Sequence, residues 1–142
     1  MENKVTKIFL ADLAHTYSVR DAALLTPLNI GYISSYAKKI HGDSIEISLF
    51  KYPKVIIEAI KKNPPDVIAL SNYSWNSLLS EHIAKIAKTK NPNVITVQGG
   101  PNFPHADEQQ FEFLKNRSNT DFHIELEGEA SFANLIDRVL KY

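Results

Sequence analysis

The chain has 142 residues, and its 16 lysines and arginines balance 16 aspartates and glutamates, so the formal net charge is zero. A neutral chain without charged blocks does not predict binding to nucleic acid or to an anionic membrane surface. It contains no cysteine, which excludes disulfides, thiolate zinc sites, a cysteine nucleophile and an iron–sulfur cluster held by these residues. Apolar runs such as Val67–Leu70 are far shorter than the roughly 20 residues that span a bilayer. Since Met1 opens no signal-peptide pattern, we expect one soluble, cytoplasmic domain over residues 1–142.

The first half of the chain alternates between strand and helix patterns. Lys4–Ala11 ends in a compact apolar run and predicts a strand, and residues 12–25 are irregular. Thr26 as N-cap and Pro27 at the first helical position predict a helix. Its inward stripe and its C-cap are Ile30, Ile33, Ala37, Ile40 and Gly42. A half-buried strand then alternates from Ile45 to Leu49, and a second helix begins at Pro53 and ends at Asn63-Pro64-Pro65.

The second half continues the alternation. Asp66–Leu70 predicts a strand that is covered on both faces, followed by a long helix over Ser74–Lys90 and a strand over Val94–Val97. A turn at Gly99-Gly100-Pro101 precedes a shorter helix over about Asp107–Lys115. The fifth strand carries Phe122, Ile124 and Leu126 in alternation, and the last helix runs from about Glu129 to Leu140.

Five strand–helix alternations predict a doubly wound, three-layer α/β/α sandwich with a parallel sheet. The first, third and fourth strands are nearly continuous apolar runs, as in central strands, whereas the second and fifth alternate, as at sheet edges. This pattern predicts the flavodoxin-like strand order 2-1-3-4-5, with its switch point between strands 1 and 3. Because ligands of such sheets bind beyond the carboxyl ends of the strands, the loops of interest are residues 12–31, 71–77, 98–105 and 127–131.

The residues that several common functions of this architecture require are missing from the sequence. A receiver domain needs an aspartate at the end of strand 3, where Ser71 stands. A dinucleotide-binding turn needs glycines directly after strand 1, but the chain continues with Asp12 and Leu13, and no P-loop lysine follows a glycine-rich run. The function therefore has to be sought in other residues of these loops.

The spacing of three small residues resembles the cobalamin-binding domain family, whose signature is D-x-H-x-x-G, then S-x-L, then G-G. Gly31 and Ser71 take the first glycine and the serine, and Gly99 follows Ser71 after 27 residues as the first of the paired glycines. Three positions depart from the signature, with Thr26 for aspartate, Leu28 for histidine and Tyr73 for leucine. The histidine of the signature coordinates cobalt, and since leucine has no lone pair, a cobalt ligand from position 28 is not expected.

Four blocks resemble more closely the N-terminal cobalamin domain of B12-dependent radical SAM enzymes, and together they cover nearly the whole chain. They are Pro27–Ile33, Asp66–Asn76, Gly99–Asn102 and Glu127–Phe132. The resemblance implies that the chain binds a corrinoid and is the N-terminal fragment of a longer enzyme. The partner would be a downstream catalytic domain that holds S-adenosylmethionine and a 4Fe-4S cluster. The parent would be a methyltransferase or a protein like the anaerobic porphyrin ester cyclases, and this chain alone would catalyse nothing.

The resemblance also implies a set of cofactor-binding residues, with no catalytic residue and no protein ligand to the metal. They are Leu28, Gly31, Ser71, Asn72, Tyr73, Trp75, Asn76, Gly99, Gly100, Pro101, Gly128 and Glu129. Ser71 would bind the dimethylbenzimidazole of the nucleotide tail, and the paired glycines would let that tail approach bare backbone. Tyr73 and Trp75 would contact the corrin ring, and Asn72 or Asn76 would donate to its amides.

Structural explanations compete with these roles. The glycines suit any strand-to-loop turn, Ser71 can cap a turn, Trp75 can anchor the core, and Glu129 suits the positive end of a helix. His15 or His105 in place of Leu28 as a cobalt ligand remains open, as does binding of a different nucleotide-like ligand. The alternative function is a degenerate relative that keeps the fold without the cofactor and acts as an interaction or substrate-gating module.

Overall fold

The structure, a computed structural model, describes residues 5–14 and 26–142, and in that part of the chain five strands form one parallel sheet. The strands are β1 (Thr6–Ala11), β2 (Ile45–Phe50), β3 (Val67–Ser71), β4 (Ile95–Gly99) and β5 (Phe122–Ile124). Their order is β2-β1-β3-β4-β5, which confirms the predicted flavodoxin-like sheet. Ala11 of β1 pairs with Leu70, and Ser71 pairs with Gly99, so the carboxyl ends of the central strands meet at one edge.

Five α-helices cover the two faces of this sheet within the described residues. They are α1 (Leu28–His41), α2 (Pro53–Lys62), α3 (Ser77–Lys90), α4 (Asp107–Lys115) and α5 (Gly128–Val139). A 3₁₀ turn over Gly42–Ser44 joins α1 to β2. None of the helices in the described ranges is long and apolar enough to cross a membrane.

The core has two layers because alternate residues of each buried strand face opposite sides of the sheet. Ile8 and Leu10 of β1 pack in the layer under α1 and α5, and Phe9 and Ala11 pack in the layer under α2 and α3. Ile8 is fully buried, and complete burial of such a side chain stabilises the fold by about 1.5–3 kcal/mol. The continuous apolar runs of the central strands follow from this two-sided burial.

The start of α1 differs from the prediction. The N-cap is Pro27 and the first helical residue is Leu28, whose N–H donates to the carbonyl of Thr26 at 2.9 Å. Thr26 is therefore not the N-cap. The helix ends as predicted at Gly42, whose φ of +54° is the left-handed backbone that glycine favours. Ile40, predicted to face inward, is 54% exposed, so the buried stripe of α1 ends one turn earlier.

The ends of two further elements also differ from the prediction. Helix α3 begins at Ser77, because the Asn76 side chain accepts the N–H of Tyr73 at 2.8 Å and holds residues 73–76 in a turn. Strand β5 ends at Ile124, and Leu126 leaves the sheet with a φ of +55° and 98% exposure. The alternation of apolar residues therefore predicts a strand that is two residues longer than β5.

Candidate functional site

A cavity of about 600 Å³ opens at the carboxyl edge of the sheet, between the sheet and helices α1 and α5. Its walls come from all four loops predicted to surround a ligand, except for the part of the first loop that lies outside the described residues. Volumes of about 300–1,000 Å³ are typical of small-molecule and cofactor sites. The position is the one that doubly wound sheets use for ligands, beside the switch between β1 and β3.

The deep wall of the cavity is apolar, because alternate strand residues turn their side chains towards α1 and α5. The strands contribute Leu10, Ala69, Val97 and Ile124, and the helices contribute Ile30, Ile33 and Phe132. The lining has few polar residues. They are Asn29, Ser71, Tyr73, Gln98, His105, Glu127 and Glu129, and of these Gln98 is fully buried and donates to Glu81 of α3 at 3.4 Å. An apolar slot with a small number of polar groups suits the flat, largely apolar base of a nucleotide-like ligand better than a free phosphate.

Ser71 lines the cavity at the end of β3, and its hydroxyl is held from two sides. It donates to Oδ1 of Asp12 at 2.6 Å and accepts from Nδ2 of Asn76 at 3.0 Å. Asn76 is fully buried, and its side chain also closes the turn after β3, so it positions Ser71 and does not line the cavity. Because a hydroxyl has one proton and two lone pairs, Ser71 keeps one acceptor site for a ligand while Asp12 holds its proton.

The Gly99-Gly100-Pro101 turn forms the next part of the wall. A Cβ on Gly99 would lie 3.5 Å from the carbonyl oxygen of Ile124, an ordinary contact, so Gly99 is not required by packing. Gly100 has a φ of +134°, and a Cβ there would lie 2.7 Å from the carbonyl oxygen of Asn72, so only glycine fits. Both glycines present bare backbone to the cavity, and for Gly100 the structural and functional explanations apply together.

The aromatic pair after β3 is divided between the cavity and the surface. Tyr73 lines the cavity, and Trp75 stacks on it with ring centroids 4.4 Å apart and planes at 7°. Trp75 is 63% exposed, so it is not a core anchor. Trp75 does not line the cavity itself, and its stack on Tyr73 places it directly behind a residue that does.

The opposite wall is the start of α5. Gly128 and Glu129 both line the cavity, and Glu129 lies in the first turn, where a carboxylate suits the helix dipole. A Cβ on Gly128 would lie 3.1 Å from Cδ1 of Ile33, so this glycine lets α5 approach α1 closely. Gly128 therefore has a packing role beside any contact with a ligand.

The structure brings seven of the twelve predicted binding residues together around the cavity and places five elsewhere. The seven are Ser71, Tyr73, Gly99, Gly100, Pro101, Gly128 and Glu129. Of the others, Leu28 is 60% exposed on α1, and a Cβ built on Gly31 would have no described atom within 4 Å apart from its chain neighbours and the backbone of its own helix. Asn72, Trp75 and Asn76 lie beside the cavity and contact Gly99, Tyr73 and Ser71, which line it.

Five polar or exposed residues of the cavity lining are absent from the predicted set. They are Asn29, Gln98, His105, Leu126 and Glu127. Asn29 and Glu127 fall inside the sequence blocks that carried the family resemblance, so their position next to Ile30 and Gly128 was an available signal. The turn that exposes Leu126 has no sequence signal, because positive φ is uncommon for leucine.

No side chain of the described residues forms a metal-binding cluster of histidine, aspartate or glutamate. His105 is exposed at the rim of the cavity, and His15 lies outside the described residues. On the far side of the glycine turn, His123 stacks on Phe103 with centroids 3.8 Å apart. Burial, and then the charge of Arg117, lower the pKa of His123 from 6.5 to about 4, so it is neutral at pH 7.

The fold and the cavity define a doubly wound α/β domain with a cavity of small-molecule size at the switch point of its sheet. Residues 17–136 match the model of the B12 binding domain family. The chain belongs to this family.

Relatives of the chain are large enzymes. It is 30% identical over 115 residues to the cobalamin-dependent radical SAM methyltransferase TokK of Streptomyces tokunonensis, covering 78% of this chain and 16% of that protein. It is 26% identical over 121 residues to the 2-(S-pantetheinyl)-carbapenam-3-carboxylate methyltransferase of Streptantibioticus cattleyicolor, covering 82% of this chain and 17% of that protein. The chain thus spans about a sixth of the length of these relatives.

A solved structure supports the same fold. The cobalamin-dependent S-adenosylmethionine radical enzyme OxsB with aqua-cobalamin bound superposes with a TM-score of 0.68 at 20% identity. The match covers 98% of this chain and 19% of the OxsB chain. At this identity the likeness concerns the fold.

Proposed function

We propose that the chain binds cobalamin in the cavity between the sheet, α1 and α5. The observation that carries this proposal is the coincidence of an apolar cavity of about 600 Å³ with the paired-glycine turn and Ser71, in a chain of the B12 binding domain family. A cobalamin nucleotide tail ends in a flat aromatic base that needs an apolar slot and close access to backbone. The cavity supplies both.

The residues present fit the group. Gly99 and Gly100 leave room for the tail, and Ile30, Val97 and Phe132 would cover the faces of its base. Ser71 and Tyr73 would lie at the rim, where polar groups of the ligand need partners. When bound, cobalamin supplies methyl-carrier chemistry, and the role of this chain would be to hold and orient it.

Leu28 is exposed and has no donor atom, so it would leave the lower face of the cobalt without a ligand from this helix. The carboxamides of Asn72 and Asn76 are engaged with the protein through both their oxygen and their nitrogen, which argues against their serving as cobalt ligands. This chain is therefore proposed to bind the cofactor without a protein ligand from the position that is histidine in the D-x-H-x-x-G signature.

The family relatives support a parent enzyme of the radical SAM methyltransferase type, with this chain as its N-terminal, cytoplasmic part. An iron–sulfur cluster and S-adenosylmethionine would then be bound by another domain, since these 142 residues contain no cysteine. The substrate contacts would also lie mainly in that domain.

The test is incubation of the purified chain with hydroxocobalamin, followed by gel filtration. Wild-type protein is expected to elute with visible corrin absorption at about one equivalent. Gly99→Val should elute colourless with an unchanged far-UV circular dichroism spectrum, because the backbone accepts a Cβ there and the larger side chain enters the cavity. Thr6→Val, at the amino end of β1, is the control and should keep the cofactor. A folded but colourless wild type would refute the proposal and favour the cofactor-free module.

A further inference from the structure

The side chain of Asn72 is directed away from the cavity, into the turn that follows β4. The residue is fully buried, and it is not part of the cavity wall. Its Nδ2 donates to the carbonyl oxygen of Asn102 at 3.0 Å, and its Oδ1 accepts from Nδ2 of Asn102 at 3.1 Å. These two bonds join the side chain of Asn72 to both the backbone and the side chain of Asn102, which lies 30 positions later in the sequence.

The backbone of Asn72 is tied to the same turn. Its N–H donates to the carbonyl oxygen of Gly99 at 2.7 Å, and its carbonyl oxygen accepts the N–H of Asn102 at 3.1 Å. Four hydrogen bonds therefore connect one residue at the end of β3 to both ends of the turn 99–102. Gly100 lies between them, where an added Cβ would be 2.7 Å from the Asn72 carbonyl oxygen.

This arrangement fixes where the glycine backbone lies. Gly99, Gly100 and Pro101 form one wall of the cavity, and the position of that wall depends on how closely the turn is held to residue 72. A turn of glycines has more conformational freedom than other segments, so without a lock it would open and close. The hydrogen bonds between Asn72 and Asn102 remove that freedom at the wall that a ligand would contact.

We propose that Asn72 and Asn102 are positioning residues that lock the paired-glycine turn and thereby set the affinity of the cavity for cobalamin. This inference rests on the proposed function, but the lock itself is a property of the ligand-free protein. It assigns to Asn72 a role other than contact with the cofactor.

The first experiment measures hydroxocobalamin affinity in Asn102→Ala, which removes the carboxamide from the more exposed side of the pair. The matched control is Asn91→Ala at the opposite end of the sheet. Asn91 also joins two loops, since its Nδ2 donates to the carbonyl of Pro65 at 2.9 Å and its Oδ1 accepts from the N–H of Asn93 at 3.1 Å. The dissociation constant is expected to rise about tenfold in Asn102→Ala and to change less than twofold in Asn91→Ala, with similar losses of thermal stability.

Equal affinities of the two variants would overturn the proposal, since the hydrogen bonds between Asn72 and Asn102 would then have only a structural role. Asn72→Asp is a second variant, in which a carboxylate oxygen replaces the donor and faces the carbonyl of Asn102. It should bind more weakly than Asn102→Ala, because repulsion opens the turn.

The second experiment needs no ligand. Amide hydrogen exchange followed by NMR should be at least tenfold faster at Asn72 and Asn102 in Asn102→Ala than in wild type, and unchanged there in Asn91→Ala. Unchanged exchange in Asn102→Ala would overturn the lock whether or not cobalamin binds. If wild-type protein fails to bind hydroxocobalamin, the proposed function falls, and the exchange data still decide whether the turn is locked.

Discussion

Leu126 holds a backbone conformation that costs stability, and its replacement by glycine should therefore stabilise the ligand-free protein. Its φ is +55°, and it is 98% exposed, so the side chain recovers nothing through burial. A left-handed conformation costs a non-glycine residue about 1–2 kcal/mol. Glycine avoids this cost but loses about 0.5–1 kcal/mol through the greater freedom of the unfolded chain.

The expected net gain for Leu126→Gly is about 0.5–1 kcal/mol in the free energy of unfolding. For a chain of this size, each kcal/mol raises Tm by about 2–4 °C. Leu126→Ala is the matched variant, because it removes the same side chain and keeps the unfavourable φ. Urea unfolding followed by circular dichroism measures both. A Leu126→Gly protein no more stable than Leu126→Ala would refute the explanation by backbone strain.

Leu126 lies on the rim of the cavity, and this gives the same pair of variants a second use. If the leucine is retained in a strained conformation because it covers a bound ligand, both variants should bind hydroxocobalamin more weakly, by a similar factor. Stability would then rise only in the glycine variant, while affinity falls in both. Unchanged affinity in both variants would show that Leu126 does not contribute to binding.

Three further predictions concern residues on either side of the cavity. Gly31→Ala should raise the unfolding free energy by roughly 0.5–1 kcal/mol, because alanine is the better helix former and the added Cβ meets no described atom within 4 Å beyond its own helix backbone and chain neighbours. A loss of cobalamin affinity in this variant would show that the ligand needs this space. Asp12→Asn should lower the unfolding free energy by about 1 kcal/mol, since the 2.6 Å bond from Ser71 would no longer be charge-assisted; an unchanged urea midpoint would contradict this. His123 has its pKa lowered to about 4, so the unfolded chain binds a proton more readily than the native one, and stability should fall as pH decreases from about 6.5 to about 4. His123→Phe keeps the stack on Phe103 and should reduce this fall, and an equally steep decline in the variant would refute the assignment.

The sheet could be predicted from the sequence because its order follows from burial. Strands covered on both faces need continuous apolar runs such as Val67–Leu70, and edge strands tolerate polar residues at alternate positions. The helix starts were less predictable. Thr26 and Ser74 are both residue types that favour the N-cap of a helix, but neither is the N-cap here. In α3 the reason is a local one, since the N–H of Tyr73 donates to the side chain of Asn76 and the helix begins only at Ser77.

The site was predictable to the extent that it depends on neighbours in sequence. The paired glycines and Ser71 lie at the ends of adjacent strands, so parallel pairing had to bring them together. The partnership of Asp12 with Ser71 joins residues 59 positions apart, and that of Asn72 with Asn102 joins residues 30 apart. Such pairings depend on side-chain orientation at the sheet edge, which composition and periodicity do not encode.

The stacked pair of Tyr73 and Trp75 has a practical consequence, because Trp75 is the single tryptophan of the chain. Its indole emission therefore reports on one position, next to the ring of Tyr73 that lines the cavity. A corrin, which absorbs strongly where indole emits, would quench that fluorescence on arrival. The unlabelled protein therefore carries its own optical probe for titrations and for stopped-flow measurement of how fast a cobamide enters and leaves.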